Sequence, residues 1–148
     1  MDNIDKLIIN HIQSDFPITE RPYMAIAEKI GSSEDEVIRR ILLLKKRGII
    51  RRIGGNFVPG KLGFVSTLCA ASVSRDKIES FVKKVNSFNG VTHNYKRANK
   101  YNIWFTFIAP DMEDIKADLE DIKKETGVTE ILNLPASKVF KIKAEFNV

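Results

Sequence analysis

Apolar side chains recur at helical spacing through the first third of the chain. In residues 3–13, Ile4, Leu7, Ile8 and the His11/Ile12 position share one stripe, which predicts an amphipathic helix. Residues 21–30 predict a second helix, with Pro22 in its first turn and Gly31 past its end. A third opens on a capping-box pattern, Ser33 with Glu36 three residues on. It carries Val37, Ile41 and Leu44 with Ile38 and Leu42 on one side and stops at Gly48. The period then changes. Residues 49–53, the turn-competent Gly54-Gly55-Asn56 and residues 57–59 predict a short β-hairpin. Three helices plus such a wing form a winged helix-turn-helix pattern.

The second part alternates strand and helix signals. Residues 64–73 are strand-like; residues 76–88 are helical, with Ile78, Phe81, Val82 and Val85 on one side, and Gly90 closes them. Two strands over residues 91–97 and 101–109 flank a short Asn99-Lys100 turn. A charged amphipathic helix over residues 112–125 stops at Gly127, and residues 129–134 and 138–142 are extended. The order β-α-β-β-α-β is that of a ferredoxin-like unit, so the expected class is α+β. Pro59-Gly60-Lys61-Leu62-Gly63 interrupts both periods, and the expected domains are residues 1–60 and 61–148.

Composition narrows the function classes. With 148 residues and 43% hydrophobic content the chain can form one ordinary domain or two small ones. Its longest apolar stretches, residues 41–44 and 103–109, fall short of the roughly 20 residues that cross a bilayer. Asp2 and Asp5 stand where an export signal would be basic, so a cytoplasmic protein is expected. The single cysteine, Cys69, lies in an apolar run and reads as a small buried hydrophobe. The net charge of +5 is spread evenly: residues 1–60 hold ten Lys+Arg against eight Asp+Glu, and the remainder fourteen against eleven. Neither part is a basic tail, and the surplus suits any anionic partner, a small polycarboxylate included. No Cys/His set at zinc spacing, no phosphate-cradling glycine loop and no nucleophile elbow is present, which leaves metalloproteases, NTPases and serine hydrolases without support.

A helix-turn-helix followed by a small ferredoxin-like domain resembles the Lrp/AsnC family, whose members pair through the second domain. The opening Asn3-Ile4-Asp5-Lys6-Leu7-Ile8-Ile9 and the stretch Leu44-Lys45-Lys46-Arg47-Gly48-Ile49-Ile50 are similar to its first helix and recognition-helix exit. Other strings resemble the siroheme decarboxylase branch: Phe16-Pro17-Ile18 with Arg21-Pro22-Tyr23, the wing Ile50-Arg51-Arg52-Ile53-Gly54-Gly55, and Leu62-Gly63-Phe64 before Ser66-Thr67-Leu68. Most specific is Val91-Thr92-His93-Asn94-Tyr95-Lys96-Arg97 followed by Tyr101-Asn102-Ile103-Trp104-Phe105-Thr106. That resemblance implies an enzyme that removes two acetate carboxyl groups from siroheme to give didecarboxysiroheme, on an oxygen-independent route to heme or heme d1. It implies no required cofactor, the iron belonging to the substrate, and a homodimer or a heterodimer with a paralogous subunit. The alternative is an Lrp/AsnC-like DNA-binding regulator that senses a small molecule or tetrapyrrole.

The residues supply their own test of that alternative. A recognition helix presents its first turn to the major groove, where Arg, Lys, Asn or Gln are expected. Here Glu34, Asp35 and Glu36 stand there; they suit a helix N-terminus but face a polyanion unfavourably, so specific DNA binding is disfavoured.

Strand parity groups the chemistry. His93, Tyr95 and Arg97 are spaced by two and share one face, with Thr92, Asn94 and Lys96 on the other. A two-residue Asn99-Lys100 turn pairs Arg97 with Asn102, Tyr95 with Trp104 and His93 with Thr106, and sends Ile103, Phe105 and Phe107 to the helices. A face with imidazole, phenol, guanidinium and indole suits a flat, iron-bearing macrocycle rimmed by carboxylates. His93 and Tyr95 are the expected catalytic residues, His93 as axial iron ligand or as proton donor. Arg97, Trp104, Arg51, Arg52 and Lys141 are the expected substrate-binding residues. Arg51 and Arg52, adjacent in a strand, would project to opposite faces, so that one of them reaches a pocket shared with the second domain. His11, on the apolar first helix, reads as structural. Such a sheet face needs cover, so the chain is expected to associate.

Overall fold

Asp2 accepts the backbone N–H of Asp5 at 2.9 Å while the Asp5 carboxylate accepts that of Asp2 at 3.2 Å. This reciprocal cap starts helix α1, Asn3–Ser14, in the computed structural model, which describes every residue except 56, 142–145 and 147. Helix α2, Pro22–Ile30, starts on its proline and ends at Gly31, whose φ of +68° favours glycine. Helix α3, Glu34–Lys46, starts at Ser33, whose hydroxyl accepts the Glu36 N–H at 3.3 Å. The return half of that capping box is replaced: the Glu36 carboxylate is held by Arg39 and Arg40 at 2.7 and 2.6 Å, charge-assisted bonds stronger than a neutral cap. Ile8, Ile26, Ala27, Val37, Ile41, Leu44 and Ile50 form the core between the three helices.

The expected β-hairpin is not formed: among the described residues, 49–55 and 57–58 carry no strand and Pro59–Leu62 is a 3-10 turn. Ile50 explains part of this, since its N–H donates to the Leu44 carbonyl and its side chain sinks into the helical core. A two-stranded ribbon has little stability of its own to oppose that. Among the described residues the helix-turn-helix therefore carries no β wing.

The second set of elements is strand β1, Val65–Ala71, helix α4, Ile78–Asn86, strands β2, Val91–Lys96, and β3, Ile103–Ala109, helix α5, Met112–Thr126, and strand β4, Ile131–Pro135. The sheet order is β2-β3-β1-β4 with every neighbouring pair antiparallel, the arrangement that the β-α-β-β-α-β order predicts. Ile103, Phe105, Phe107, Cys69 and Ala71 point to one side and pack with Phe81 and Val85 of α4 and Ile115, Leu119 and Ile122 of α5. Phe105 meets Phe81 and Phe107 edge-on at centroid distances of 6.2 and 6.4 Å. Burial of each such ring contributes about 1.5–3 kcal/mol. The extended segment expected at residues 138–142 carries no strand at 138–141, and position 142 lies outside the described residues.

The chain divides into two units, Met1–Asn56 with Lys141–Val148, and Phe57–Phe140. No helix among the described residues is long and apolar enough to cross a membrane.

Candidate functional site

With α4 and α5 packed on one side of the sheet, the other side presents two cross-strand rows. The pairing places Tyr95, Trp104, Ala70 and Leu132 in one row and His93, Thr106, Leu68 and Leu134 in the next. The partners expected for the hairpin are those observed: Tyr95 with Trp104, His93 with Thr106, and the Arg97 N–H on the Asn102 carbonyl at 2.8 Å. Leu68, Tyr95 and Leu134 are 42, 52 and 41% exposed, so this face is open.

His93 shares that face with Tyr95 by simple alternation, but an irregularity separates it from the start of the strand. Val91 pairs with Phe107 and packs on the core, whereas His93, two residues on, pairs with Thr106 on the open side. Thr92 is the extra residue of a β-bulge, which reverses the facing between Val91 and His93. Gly90 permits the bend: a Cβ there would lie 2.1 Å from the Ile108 carbonyl oxygen. A glycine before a strand was the available signal, and it reads equally as a helix stop.

Four of the expected residues form one cluster. The Tyr95 hydroxyl and His93 Nδ1 are 3.2 Å apart, with the rings stacked at 5.9 Å and 10°. The Arg97 guanidinium carbon lies 6.0 Å from the Tyr95 ring and 5.8 Å from the Trp104 ring, within cation–π range of both. Among the described ion pairs Arg97 has no carboxylate partner. Its fork of donors is thus available to an external carboxylate. The Trp104 indole N–H donates to the Tyr101 carbonyl at 2.7 Å, which fixes the ring against the sheet.

Arg51, Arg52 and Lys141 belong to the other unit. All three are exposed and lie in irregular segments, so the strand parity expected to separate Arg51 from Arg52 does not apply. Lys141 lies six residues past the end of β4. Among the described residues no three His, Cys, Asp or Glu side chains are grouped to hold a metal ion. Cys69 is buried beneath the sheet, and desolvation pushes its thiol up to about 12, which removes it from nucleophilic chemistry at neutral pH. The acidic first turn of α3 is engaged with cations of its own unit: Arg21 binds Glu34, and Arg39 and Arg40 bind Glu36.

Two family models match the chain: a siroheme decarboxylase NirDL-like HTH domain over residues 5–51 and an AsnC-like ligand binding domain over residues 61–141. The siroheme decarboxylase alpha subunit of Desulfovibrio desulfuricans is 51% identical over 148 residues, covering 100% of this chain and 85% of that protein. A crystal structure of the siroheme decarboxylase NirDL, in co-complex with an iron-uroporphyrin III analogue, is 32% identical with a TM-score of 0.67. The match covers 89% of this chain and 44% of that one. The leucine response regulatory protein LrpA of Mycobacterium tuberculosis superposes over 100% of both chains with a TM-score of 0.83 at 16% identity, a likeness of fold alone.

Proposed function

We infer that this chain, which belongs to the siroheme decarboxylase family, is a carboxy-lyase subunit that removes acetate carboxyl groups from siroheme to give didecarboxysiroheme. The observation that carries the reading is the cluster of His93, Tyr95, Arg97 and Trp104 on the open sheet face. A planar macrocycle offers aromatic faces a large apolar contact, and its rim carboxylates suit a guanidinium that has no carboxylate partner among the described residues.

The roles follow from chemistry. Arg97 grips a rim carboxylate, Trp104 and Tyr95 bear on the macrocycle, and His93 serves its centre as iron ligand or its ring as proton donor. Arg51, Arg52 and Lys141 are proposed as further cations for the remaining carboxylates. Each decarboxylation consumes one proton: the ring is protonated, the carbon–carbon bond breaks to release carbon dioxide with its electron pair passing into the ring system, and the new methyl carbon takes a proton as the ring returns its own. The step is neither oxidation nor reduction, so the proposal needs no added redox cofactor, and the iron arrives with the substrate.

The regulator alternative is not favoured. Its first recognition-helix turn is acidic, and the relatives at 47–51% identity are named siroheme decarboxylase alpha subunits. We further propose that a second subunit of related fold covers the open sheet face, as a homodimer or as a heterodimer with a paralogue. The match occupies only 44% of the NirDL chain, which is long enough to hold two such subunits. Anaerobic incubation of the complete assembly with siroheme, followed by mass spectrometry, should show loss of two carbon dioxide units per substrate. No mass change with correctly paired subunits would overturn the reading.

A further inference from the structure

The string from Tyr101 to Thr106 contains two residues that the chemistry above leaves unused, Tyr101 and Asn102, and both tie the β2–β3 turn to neighbouring segments. The Asn102 side chain brackets Val73, accepting its N–H at 2.9 Å and donating to its carbonyl at 2.7 Å, while the Asn102 N–H donates to the Ala71 carbonyl at 3.0 Å. The Tyr101 hydroxyl donates to Glu130 Oε1 at 2.9 Å, and Lys100 Nζ lies 2.5 Å from the same oxygen. Glu130 is itself anchored, its carbonyl accepting the Ser72 N–H at 3.0 Å. An exposed hairpin tip is ordinarily among the least ordered parts of a fold. Here its consecutive residues Lys100, Tyr101 and Asn102 are each bonded outside the hairpin.

The fastening leads to the site. The Tyr101 carbonyl receives the Trp104 indole N–H at 2.7 Å, and the Trp104 ring is one of the two that Arg97 lies over. We propose that Tyr101 and Glu130 are positioning residues that hold Trp104, and through it the Arg97 guanidinium, ready for a substrate carboxylate. The inference rests on the siroheme reading for the identity of the ligand. A guanidinium already placed loses less freedom when it binds, so the pair acts on substrate affinity and leaves the bond-breaking step alone.

Three variants in the assembled enzyme test this. Tyr101→Phe keeps the ring and backbone carbonyl and loses only the bond to Glu130; Glu130→Ala removes the acceptor; Glu130→Gln keeps an acceptor for the hydroxyl. The first two should raise KM for siroheme roughly three- to tenfold with kcat within about twofold. The double variant should be no worse than either single, and Glu130→Gln should restore most of the affinity. Trp104 is the chain's one tryptophan, so 5-fluorotryptophan incorporated in this subunit gives a single fluorine resonance that reports the indole directly. That resonance should shift or broaden in Tyr101→Phe and Glu130→Ala and stay near its original position in Glu130→Gln. An unchanged resonance and KM in both loss variants, at unchanged melting temperature, would overturn the proposal. A fall in kcat at constant KM would also do so. Should the unmodified enzyme leave siroheme intact, the reading of function falls, while the fluorine resonance still decides whether Tyr101 and Glu130 hold Trp104.

Discussion

The hydroxyl of Tyr95 stands 3.2 Å from Nδ1 of His93, and the two rings lie nearly parallel. Both roles open to His93 require the same polarity of that bond. An iron ligand uses the Nε2 lone pair and carries its proton on Nδ1; an imidazolium acid carries protons on both nitrogens. In either form Nδ1–H donates to the tyrosine oxygen and Nε2 is left for the substrate. Replacing His93 with Ala separates the roles. A ligand's loss should alter the absorption spectrum of bound siroheme and weaken binding, whereas an acid's loss should leave the spectrum and cost on the order of a hundredfold in turnover. Tyr95→Phe should cost roughly tenfold or more by the same readout. A His93→Ala enzyme with unaltered spectrum, affinity and turnover would make this histidine structural.

Arg97 supplies the complementary test. Its guanidinium lies over two rings with no carboxylate partner among the described ion pairs, so Arg97→Ala should weaken siroheme binding while leaving the spectrum of what remains bound unchanged. Arg97→Lys should recover little, because an ammonium lacks the planar fork and stacks poorly. Titration of siroheme followed by absorbance decides it, and equal affinity in all three proteins would remove Arg97 from the site.

How much of this was legible depended on the range of the interactions involved. Period-two spacing and a short turn were enough to pair Tyr95 with Trp104 and His93 with Thr106, since hairpin register is a local property. The bulge at Thr92 was not legible, because it answers to the close approach of Gly90 and Ile108 across two strands. The Tyr101–Glu130 bond, 29 residues apart in sequence, escaped for the same reason. The expected wing, which has no strand among the described residues, failed differently. A local turn signal at Gly54-Gly55 was outweighed by the burial of Ile50 in the helical core, a tertiary preference that overrides local propensity.

The bulge makes a prediction of its own. Placing a Cβ at Gly90 brings it 2.1 Å from the Ile108 carbonyl oxygen, whose residue also donates its N–H to the Gly90 carbonyl at 2.9 Å. Gly90→Ala must therefore move the start of β2, at a cost of about 1–3 kcal/mol in stability. Because the bulge aims His93, decarboxylation should fall more than tenfold even well below the melting temperature. Thr92→Ala, which keeps the extra residue, should retain activity within a few-fold. Full activity in Gly90→Ala would show that the facing of His93 does not depend on this bend.

The last prediction concerns acid. Arg39 and then Arg40 hold the Glu36 carboxyl down, from an ordinary 4.5 to about 2, and Arg40 with the Asp5 N–H lowers that of Asp2. A carboxyl whose folded value is depressed adds stability that is fully present above its unfolded value and is lost as pH falls through the folded one. The helical unit should therefore lose stability progressively from about pH 4.5 towards pH 2. Arg40 also reaches Asp5, which is only 9% exposed, at 2.9 Å. Its replacement by Met leaves that carboxylate without its cation, and the melting temperature at neutral pH should drop by about 4–8 °C. In Arg39→Met/Arg40→Met the acid-dependent loss should flatten, since little depression of Glu36 and Asp2 remains to be titrated away. Melting temperatures recorded from about pH 2 to 6 by circular dichroism test both parts. A double variant that declines as steeply as the unmodified protein would assign its acid sensitivity to other carboxyls.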